Sequence, residues 1–316
     1  MKMMRSVALS LASLWALAWL ETPQVRSQTS VPLGMAPNSF DDQYRGCTEE
    51  MEAEIAPRLL EAENARHRLL GSMWGNLSAV WETKKQQLSV PVGFRAEHGI
   101  ALLVYTNSSV PLYRELNQAV REAGVSRETY MSNFHFKALH YYLTRALQLL
   151  RADCGQLSQH ELFRGVRSIR FEPNGTGVFR FGQFTSSSLD RAIAEQYGQA
   201  TFFTLRSCFG TPVEAFSAFP AEREVLLPAS EVFQVSRFTR EGNRSLFLLH
   251  STNRTCSHYN CAYLGGEKSQ ECLDNTVAGR SFRVSSDMSP VLLGGIVLLH
   301  VAAQKLFASF KLISIF

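Results

Sequence analysis

Two glutamates, Glu222 and Glu224, lie two residues apart in the stretch 221–228. In a β-strand, alternate side chains project from the same face, so the two carboxylates would lie together with Arg223 pointing away. Neighbouring carboxylates repel and raise each other's pKa, so a cation or a developing positive charge in a bound ligand would explain the pair. The alternative is an exposed edge strand with solvated glutamates. The spacing thus makes the pair a candidate site for stabilising positive charge.

Two further motifs place polar residues on or beside apolar strands: Phe163-Arg164-Gly165-Val166 and Phe184-Thr185-Ser186-Ser187-Ser188. Arg164 lies between apolar neighbours on a predicted buried strand, where an unpaired charge is unfavourable. It therefore needs a negative partner, which is either a phosphate group or a core acid in a salt bridge. The serines mark a strand end that passes into a helix, so they either cap that helix or belong to a site.

The three motifs together resemble the arginine, serine and glutamate signature of the arginine-specific ecto-ADP-ribosyltransferases, vertebrate enzymes related to cholera-toxin-like and clostridial binary toxins. The resemblance covers almost the whole chain between its two apolar ends, including segments 40–47, 97–106 and 259–263. It implies the ADP-ribosyltransferase fold and NAD as the co-substrate. It also implies arginine-containing extracellular or cell-surface proteins as the acceptors.

The resemblance implies a role for each motif residue. Arg164 would hold the pyrophosphate of NAD, and the backbone of Gly165 would meet the nicotinamide amide. Ser186 would orient the catalytic strand and the nicotinamide ribose. Glu224 would bind the ribose 2′-hydroxyl and stabilise the positive charge that develops as nicotinamide leaves, whereas Glu222 would position and deprotonate the acceptor guanidinium.

Elementary chemistry agrees with these roles and requires no metal ion. Breaking the N-glycosidic bond passes through an oxocarbenium-like state, so a carboxylate fixed beside the ribose stabilises the transition state more than the ground state. An acceptor arginine is protonated at neutral pH, so a second acid must hold it and take its proton late. Two alternative functions remain: an NAD glycohydrolase with water as the main acceptor, and a cell-surface binding protein that has lost activity.

Aromatic residues near the motifs are further candidates. Tyr197 lies where relatives carry an aromatic residue, usually Phe, near the nicotinamide. Phe216 and Phe219 precede the two acids, where they either pack in the core or contact the protein substrate from an exposed loop. His140 has no acid or second histidine three or four positions away, so we expect it to pack and not to bind a metal.

The elements that must position these residues predict an α+β fold. Residues 40–152 show helical spacing, with the strongest helix over 136–150, and residues 160–265 contain short β-rich runs. A helical N-terminal part would then pack on a strand-rich antiparallel β-sandwich core, with a cleft between them. The predicted strands cover 162–166, 167–171, 178–184, 201–206, 213–218, 222–227, 232–238, 246–251 and 259–264.

The chain ends and the charge indicate an extracellular protein. A net charge of +4 over 316 residues, without a block of basic residues, argues against a nucleic-acid partner. Lys2 and Arg5 precede an apolar run that is short for a membrane anchor, so residues 1–27 are predicted to be a signal peptide. Residues 280–316 form a polar spacer and an apolar tail, which is either a glycosylphosphatidylinositol (GPI) signal or a secreted tail. A single catalytic domain would span 28–279, and a lipid anchor would be its only link to the membrane.

Six cysteines in an oxidising compartment are expected to form disulfides, and six allow fifteen pairings. The family resemblance implies that Cys47 pairs with Cys261 and Cys154 with Cys208. It leaves two cysteines, Cys256 and Cys272, to pair with each other or to stay free. Five sequons predict N-glycans at the surface: Asn76, Asn107, Asn174, Asn243 and Asn253.

Overall fold

Helices dominate the first part of the chain. The computed structural model describes residues 29–110 and 112–273. After strand β1 (Thr29–Pro32), the helices are α1 (Thr48–Glu50), α2 (Ala56–Arg66), α3 (Arg68–Lys84), α4 (Ala96–Thr106), α5 (Leu112–Ala123), α6 (Arg127–Asn133), α7 (Lys137–Leu150) and α8 (Cys154–Leu157). The predicted signal peptide and the C-terminal tail lie outside the described residues. None of the helices within the described ranges is long and apolar enough to cross a membrane.

Helix α7 lies at the centre of the helical part, where it packs against α2 and α4. Its apolar stripe, which includes Leu139 and Leu143, is buried as the spacing predicts. His140 is 1% exposed, hydrogen-bonds the Tyr44 hydroxyl through Nδ1 over 2.8 Å and packs beside the ring of Phe184. Burial lowers the pKa of His140 to about 3, so its ring is neutral. The prediction that His140 packs in the core is confirmed.

Strands dominate the second part. They are β2 (Leu162–Val166), β3 (Ile169–Glu172), β4 (Val178–Phe179), β5 (Thr185–Ser188), β6 (Thr201–Arg206), β7 (Thr211–Pro212), β8 (Glu224–Leu227), β9 (Glu231–Glu241) and β10 (Arg244–Thr255), with helix α9 (Arg191–Gln196) after β5. The larger sheet has the order β4-β9-β10-β6-β2-β5-β8-β7, and β1 pairs with β3 in a parallel two-stranded sheet. The α+β fold is confirmed, but the sheets are not purely antiparallel. β10 runs antiparallel to β9 and parallel to β6, so the larger sheet is mixed.

The larger sheet is joined at a narrow point. Within the described residues, β2 and β5 pair only between Phe163 and Ser188, whereas β2 pairs with β6 over five positions. Beyond this joint, Val225 and Leu227 of β8 share a buried cluster with Phe203 of β6. The two halves of the sheet therefore pack on each other, and the joint between them carries the predicted site residues.

The sequence placed some strands correctly and others wrongly. The predictions for 162–166 and 201–206 match β2 and β6, whereas 178–184 shortens to β4. Residues 213–218 form turns instead of a strand, because Phe216 and Ser217 donate their backbone N–H groups to the carbonyl oxygen of Val213. These turn bonds fold the segment back after Val213, whose own N–H still donates to the carbonyl oxygen of Glu224 over 2.9 Å.

The predicted strand over 259–264 is also wrong, since this segment contains a 3-10 turn, Ala262–Leu264. The backbone N–H of Tyr259 donates to Asp41 Oδ1 over 3.0 Å, and that of Cys261 donates to Asp42 Oδ1 over 2.9 Å. These carboxylates lie more than two hundred positions earlier in the chain, and they take the place of a strand partner.

Three disulfides stabilise the described part of the chain. Cys47 pairs with Cys261 and Cys154 with Cys208, which are the pairs that the family resemblance implies. The remaining two cysteines, 256 and 272, pair with each other. The sequon asparagines all retain accessible surface. Asn76, Asn243 and Asn253 are exposed, and Asn107 and Asn174 are half-buried.

Candidate active site

Arg164 lies in the middle of β2, between β6 and β5. Its guanidinium Nη1 donates to the carbonyl oxygen of Ser186 over 2.7 Å. Among the described residues, no carboxylate lies within ion-pairing distance of this guanidinium, so the salt bridge to a core acid is not formed. Burial lowers the pKa of Arg164, but a guanidinium stays charged in proteins. A half-buried cation without an acidic partner is therefore available to a bound anion.

Gly165 permits a close approach of two chain segments. A Cβ atom here would lie 2.2 Å from the carbonyl oxygen of Ala194 and 2.3 Å from that of Gly198. These carbonyls belong to the C-terminal end of α9 and the residues after it, so the glycine lets this end pack directly on β2. Arg167 holds the same end, because its Nη2 donates to the carbonyl oxygen of Gln196 over 2.9 Å.

The three serines of β5 have different partners. Ser187 donates its hydroxyl to a carbonyl of β8, and Ser188 donates its hydroxyl to the carbonyl oxygen of Glu222, each over 2.7 Å. Ser186 lines a pocket and accepts the hydrogen bond from β2 described above. The capping alternative is wrong for these serines, since Asp190 caps α9 by accepting a backbone N–H over 2.8 Å.

The two acids do not share one strand face. Glu222 ends a 3-10 turn (Pro220–Glu222), Arg223 adopts a left-handed φ of 47°, and β8 begins only at Glu224. The prediction of a continuous strand over 222–227 is therefore wrong. A left-handed residue redirects the chain between the acids, and few residues other than glycine adopt it, so the pattern of residues did not indicate it. Both carboxylates nevertheless line the same pocket, and Arg223 is exposed.

Glu224 is the most buried acid of this pocket, with 4% of its surface exposed. Burial raises its pKa to about 7. A hydrogen bond from Ser186 and the charge of Arg164 lower this pKa, whereas the charge of Glu222 raises it. The carboxyl group therefore holds its proton more tightly than a solvated glutamate, and a positive charge brought beside it would favour the ionised form.

Tyr197 follows α9 directly and has 46% of its surface exposed. Its hydroxyl donates to Glu222 Oε1 over 2.5 Å. Burial of the ring, followed by the hydrogen bond to Glu222, raises the pKa of Tyr197 well above its ordinary value. The phenol is therefore protonated at neutral pH and is able to donate.

The six residues that the family resemblance places at the NAD and acceptor site meet in one pocket. Its volume is about 760 Å³, which lies in the usual range for small-molecule sites. The predicted residues that line it are Arg164, Gly165, Ser186, Tyr197, Glu222 and Glu224, and further lining residues include Tyr105, Tyr113, Arg114 and Arg167. The pocket thus combines guanidinium cations with two carboxylates.

The sequence did not reveal two residues that support this pocket. The Tyr105 hydroxyl donates to the carbonyl oxygen of Phe184 over 2.9 Å, and Asn117 Nδ2 donates to the same oxygen over 3.0 Å. The two hydrogen bonds hold the backbone carbonyl of Phe184, the residue that directly precedes β5. The available signal was the position of Asn117 in the buried stripe of α5, beside Leu116 and Val120, because a buried amide needs hydrogen-bond partners.

The two phenylalanines before the acids differ in position. Phe216 is buried and packs against the rings of Trp81 and Phe94, so of its two alternatives the structure shows core packing. Phe219 is half-buried, and its carbonyl oxygen accepts the backbone N–H of Glu222 over 3.1 Å. A contact between Phe219 and a protein substrate stays a prediction.

Comparison with known proteins gives concordant matches. The family model described as NAD:arginine ADP-ribosyltransferase matches residues 33–257. Ecto-ADP-ribosyltransferase 5 of Homo sapiens is 56% identical over 257 residues, 80% of this chain and 88% of the relative. GPI-linked NAD(P)(+)--arginine ADP-ribosyltransferase 1 of Mus musculus is 42% identical over 274 residues, 83% of each chain. A crystal structure of a mutant of the mono-ADP-ribosyltransferase ART2.2 in complex with NADH superposes with a TM-score of 0.64 at 39% identity, covering 74% of this chain and 99% of that one.

Proposed function

The chain belongs to the NAD:arginine ADP-ribosyltransferase family, and we propose that it transfers ADP-ribose from NAD to arginine side chains of proteins and releases nicotinamide. One observation carries the proposal: Arg164, Ser186 and Glu224, which are remote along the chain, line one pocket. The pocket suits a substrate that has a pyrophosphate at one point and a cationic leaving group at another. NAD has both.

Arg164 is suited to hold the pyrophosphate. Its guanidinium has no acidic partner among the described residues, and its planar set of donors matches two phosphate oxygens at once. The bond to the carbonyl oxygen of Ser186 uses one N–H and fixes the plane of the group. This support comes from the geometry of the side chain and from its hydrogen bond to Ser186.

Glu224 is suited to the step in which nicotinamide leaves. As the bond between the ribose C1′ and the nicotinamide nitrogen lengthens, positive charge moves onto the ribose. A buried carboxylate acts through a low dielectric, so it stabilises this charge more strongly than a solvated one would. Ser186, which lines the same pocket, lowers the pKa of this carboxyl group and so favours its charged form.

Glu222 is suited to the acceptor. It lies half-buried at the end of an exposed turn, where a protein substrate has access. A carboxylate binds a guanidinium through two parallel hydrogen bonds and holds a nitrogen toward the ribose. As that nitrogen bonds to C1′, its proton passes to the carboxylate.

Substitution of each acid tests the proposal, with NAD labelled in its adenine and L-arginine methyl ester as the acceptor. Glu224→Gln is expected to lower both the ester adduct and free ADP-ribose by about 10² to 10⁴. Glu222→Gln is expected to lose the adduct and to retain release of ADP-ribose to water. The exposed Glu214, which does not line the pocket, supplies a matched control in Glu214→Gln with the wild-type rates. Full adduct formation by Glu222→Gln, or a wild-type rate in Glu224→Gln, contradicts the assigned roles.

We also place this reaction outside the cell, in a single catalytic domain over 28–279. The names of the ecto-enzyme and GPI-linked relatives support this location. Cleavage of a signal peptide over 1–27 and replacement of the tail 280–316 by a lipid complete the proposal. Treatment of expressing cells with phosphatidylinositol-specific phospholipase C is expected to release the protein, and retention on the cells contradicts the anchor. Neither NAD hydrolysis as the main reaction nor loss of activity is favoured by these relatives.

A further inference from the structure

The carboxylate of Glu222 has one side-chain partner among the described residues, the hydroxyl of Tyr197 at 2.5 Å from Oε1. Without it, a half-exposed glutamate would sample several rotamers at similar energy. A carboxylate that must receive a guanidinium in one orientation would then be aligned only part of the time.

The backbone around Glu222 is held independently of this contact. Its carbonyl oxygen accepts from the Ser188 hydroxyl over 2.7 Å, and its N–H donates to the carbonyl oxygen of Phe219 over 3.1 Å. The next residue, Arg223, accepts the N–H of Leu189 over 3.1 Å. The position of the backbone is therefore fixed by β5, and the contact with the phenol decides only the direction of the Glu222 carboxylate.

Tyr197 is itself anchored on the strand that carries the proposed pyrophosphate ligand. It follows the end of α9, which packs against β2 so closely that only glycine fits at position 165. The Nη2 donor of Arg167 binds the carbonyl oxygen of Gln196, the residue before Tyr197. The phenol therefore connects α9, which is held on β2, with the turn that carries Glu222.

We propose that Tyr197 is a positioning residue that holds the Glu222 carboxylate toward the acceptor guanidinium, and thereby sets how ADP-ribose is divided between arginine and water. The inference rests on the proposed function. One hydrogen bond to Oε1 leaves Oε2 and the second lone pair of Oε1, which are enough for a two-point contact with a guanidinium. Water reacts without such a contact, so transfer to arginine depends on this orientation more than hydrolysis does.

The variant Tyr197→Phe removes the hydroxyl and keeps the ring. With labelled NAD and L-arginine methyl ester, we expect the KM for the ester to rise roughly tenfold, since one hydrogen bond to a charged group is lost. At an ester concentration below KM, the ratio of adduct to free ADP-ribose is expected to fall by the same factor. The KM for NAD is expected to stay within about twofold of the wild-type value, because the ring and the NAD side of the pocket are kept.

Tyr263→Phe is the matched control, because Tyr263 lies outside the pocket and its ring belongs to the helical part of the core. It is expected to leave both KM values and the product ratio unchanged. The unfolding temperature of Tyr197→Phe is expected to match the wild type, since the ring is kept and nearly half of the residue surface is exposed.

Three results overturn the inference while leaving the proposed function intact. The first is an unchanged ratio of adduct to free ADP-ribose. The second is a lower KM for the ester, which would mean that the hydroxyl obstructs the acceptor. The third is a rise in the KM for NAD that equals the rise in the KM for the ester. Failure of the wild-type protein to consume NAD overturns the proposed function itself, and it is seen before any variant is compared.

Discussion

The guanidinium of Arg164 donates to the carbonyl oxygen of Ser186 over 2.7 Å, beside the single paired position that joins β2 to β5. The two halves of the larger sheet share little backbone pairing at this point, so the side chain adds a link between them. The same group that we propose to bind the pyrophosphate therefore also fixes the entry to the strand that carries Ser186.

Substitution of Arg164 by lysine tests this double use. An ammonium is a point charge that does not reproduce two parallel bonds to a pyrophosphate while it also binds a carbonyl. We expect Arg164→Lys to raise the KM for NAD by about 10- to 100-fold, the loss of one to two charge-assisted hydrogen bonds. Steady-state kinetics measure this KM. Arg206→Lys, at an exposed position on β6, is the control, and an equal effect of the two variants contradicts the assignment.

A methyl group at Gly165 tests the packing of α9 on β2. It would lie 2.2 Å from a backbone carbonyl oxygen, so the helix end must move. We expect Gly165→Ala to lower the free energy of unfolding by about 1–3 kcal/mol, the usual effect of overpacking, and to reduce NAD turnover. Denaturant unfolding provides the measurement. At Gly175 a Cβ atom meets nothing within 4 Å, so Gly175→Ala is the control. Wild-type stability of Gly165→Ala argues against the close approach.

Removal of the Asn117 amide tests the support of β5 from the helical part. Asn117→Ala leaves the carbonyl oxygen of Phe184 with one donor fewer and opens space in a buried stripe. The free energy of unfolding is expected to fall by about 1–3 kcal/mol, and kcat/KM for NAD is expected to fall with it. Gln118→Ala, at the next and exposed position of α5, is the control. If both variants retain full activity, Asn117 does not position the strand.

The raised pKa of Glu224 predicts a pH-dependent difference in stability. In the folded protein this pKa is about 7, against an ordinary value of 4.5, so the folded state binds the proton more tightly than the unfolded state. The resulting stabilisation is fully present below pH 4.5 and is lost as the pH rises through about 7. The side chain at position 224 does not titrate in Glu224→Gln. Between about pH 5 and pH 8, we therefore expect the free energy of unfolding of this variant to rise by on the order of 1 to 3 kcal/mol relative to that of the wild type. Denaturant unfolding at each pH provides the measurement. A difference between variant and wild type that stays constant with pH would contradict a pKa of Glu224 raised by burial.

The sequence predicted those parts of the site that depend on local pattern. Arg164 and Gly165 lie on β2, and both β2 and the neighbouring strand β6 follow from short β-rich runs of the sequence. The division into a helical and a strand-rich part followed from the change near Cys154, where helical spacing of apolar residues gives way to short β-rich runs. These features need only short-range information, so a single sequence contains them.

Other features depend on distant partners or on backbone conformations that residue types do not encode. The left-handed Arg223 separates the two acids into a turn and a strand, although their spacing fits one strand face. Asp41 and Asp42 replace a strand partner for the segment near Tyr259. The contact between Tyr197 and Glu222 joins positions 25 residues apart, and only the assembled fold shows it.

The central claim is that Arg164, Ser186 and Glu224 act on one NAD molecule. A crystal structure of Glu224→Gln with bound NAD tests it most directly, because the variant is expected to bind the substrate without consuming it. We predict the pyrophosphate on Arg164 and the nicotinamide ribose within about 3 Å of the Ser186 hydroxyl and of the side chain at position 224. NAD bound outside this pocket, or with its pyrophosphate away from Arg164, would contradict the account.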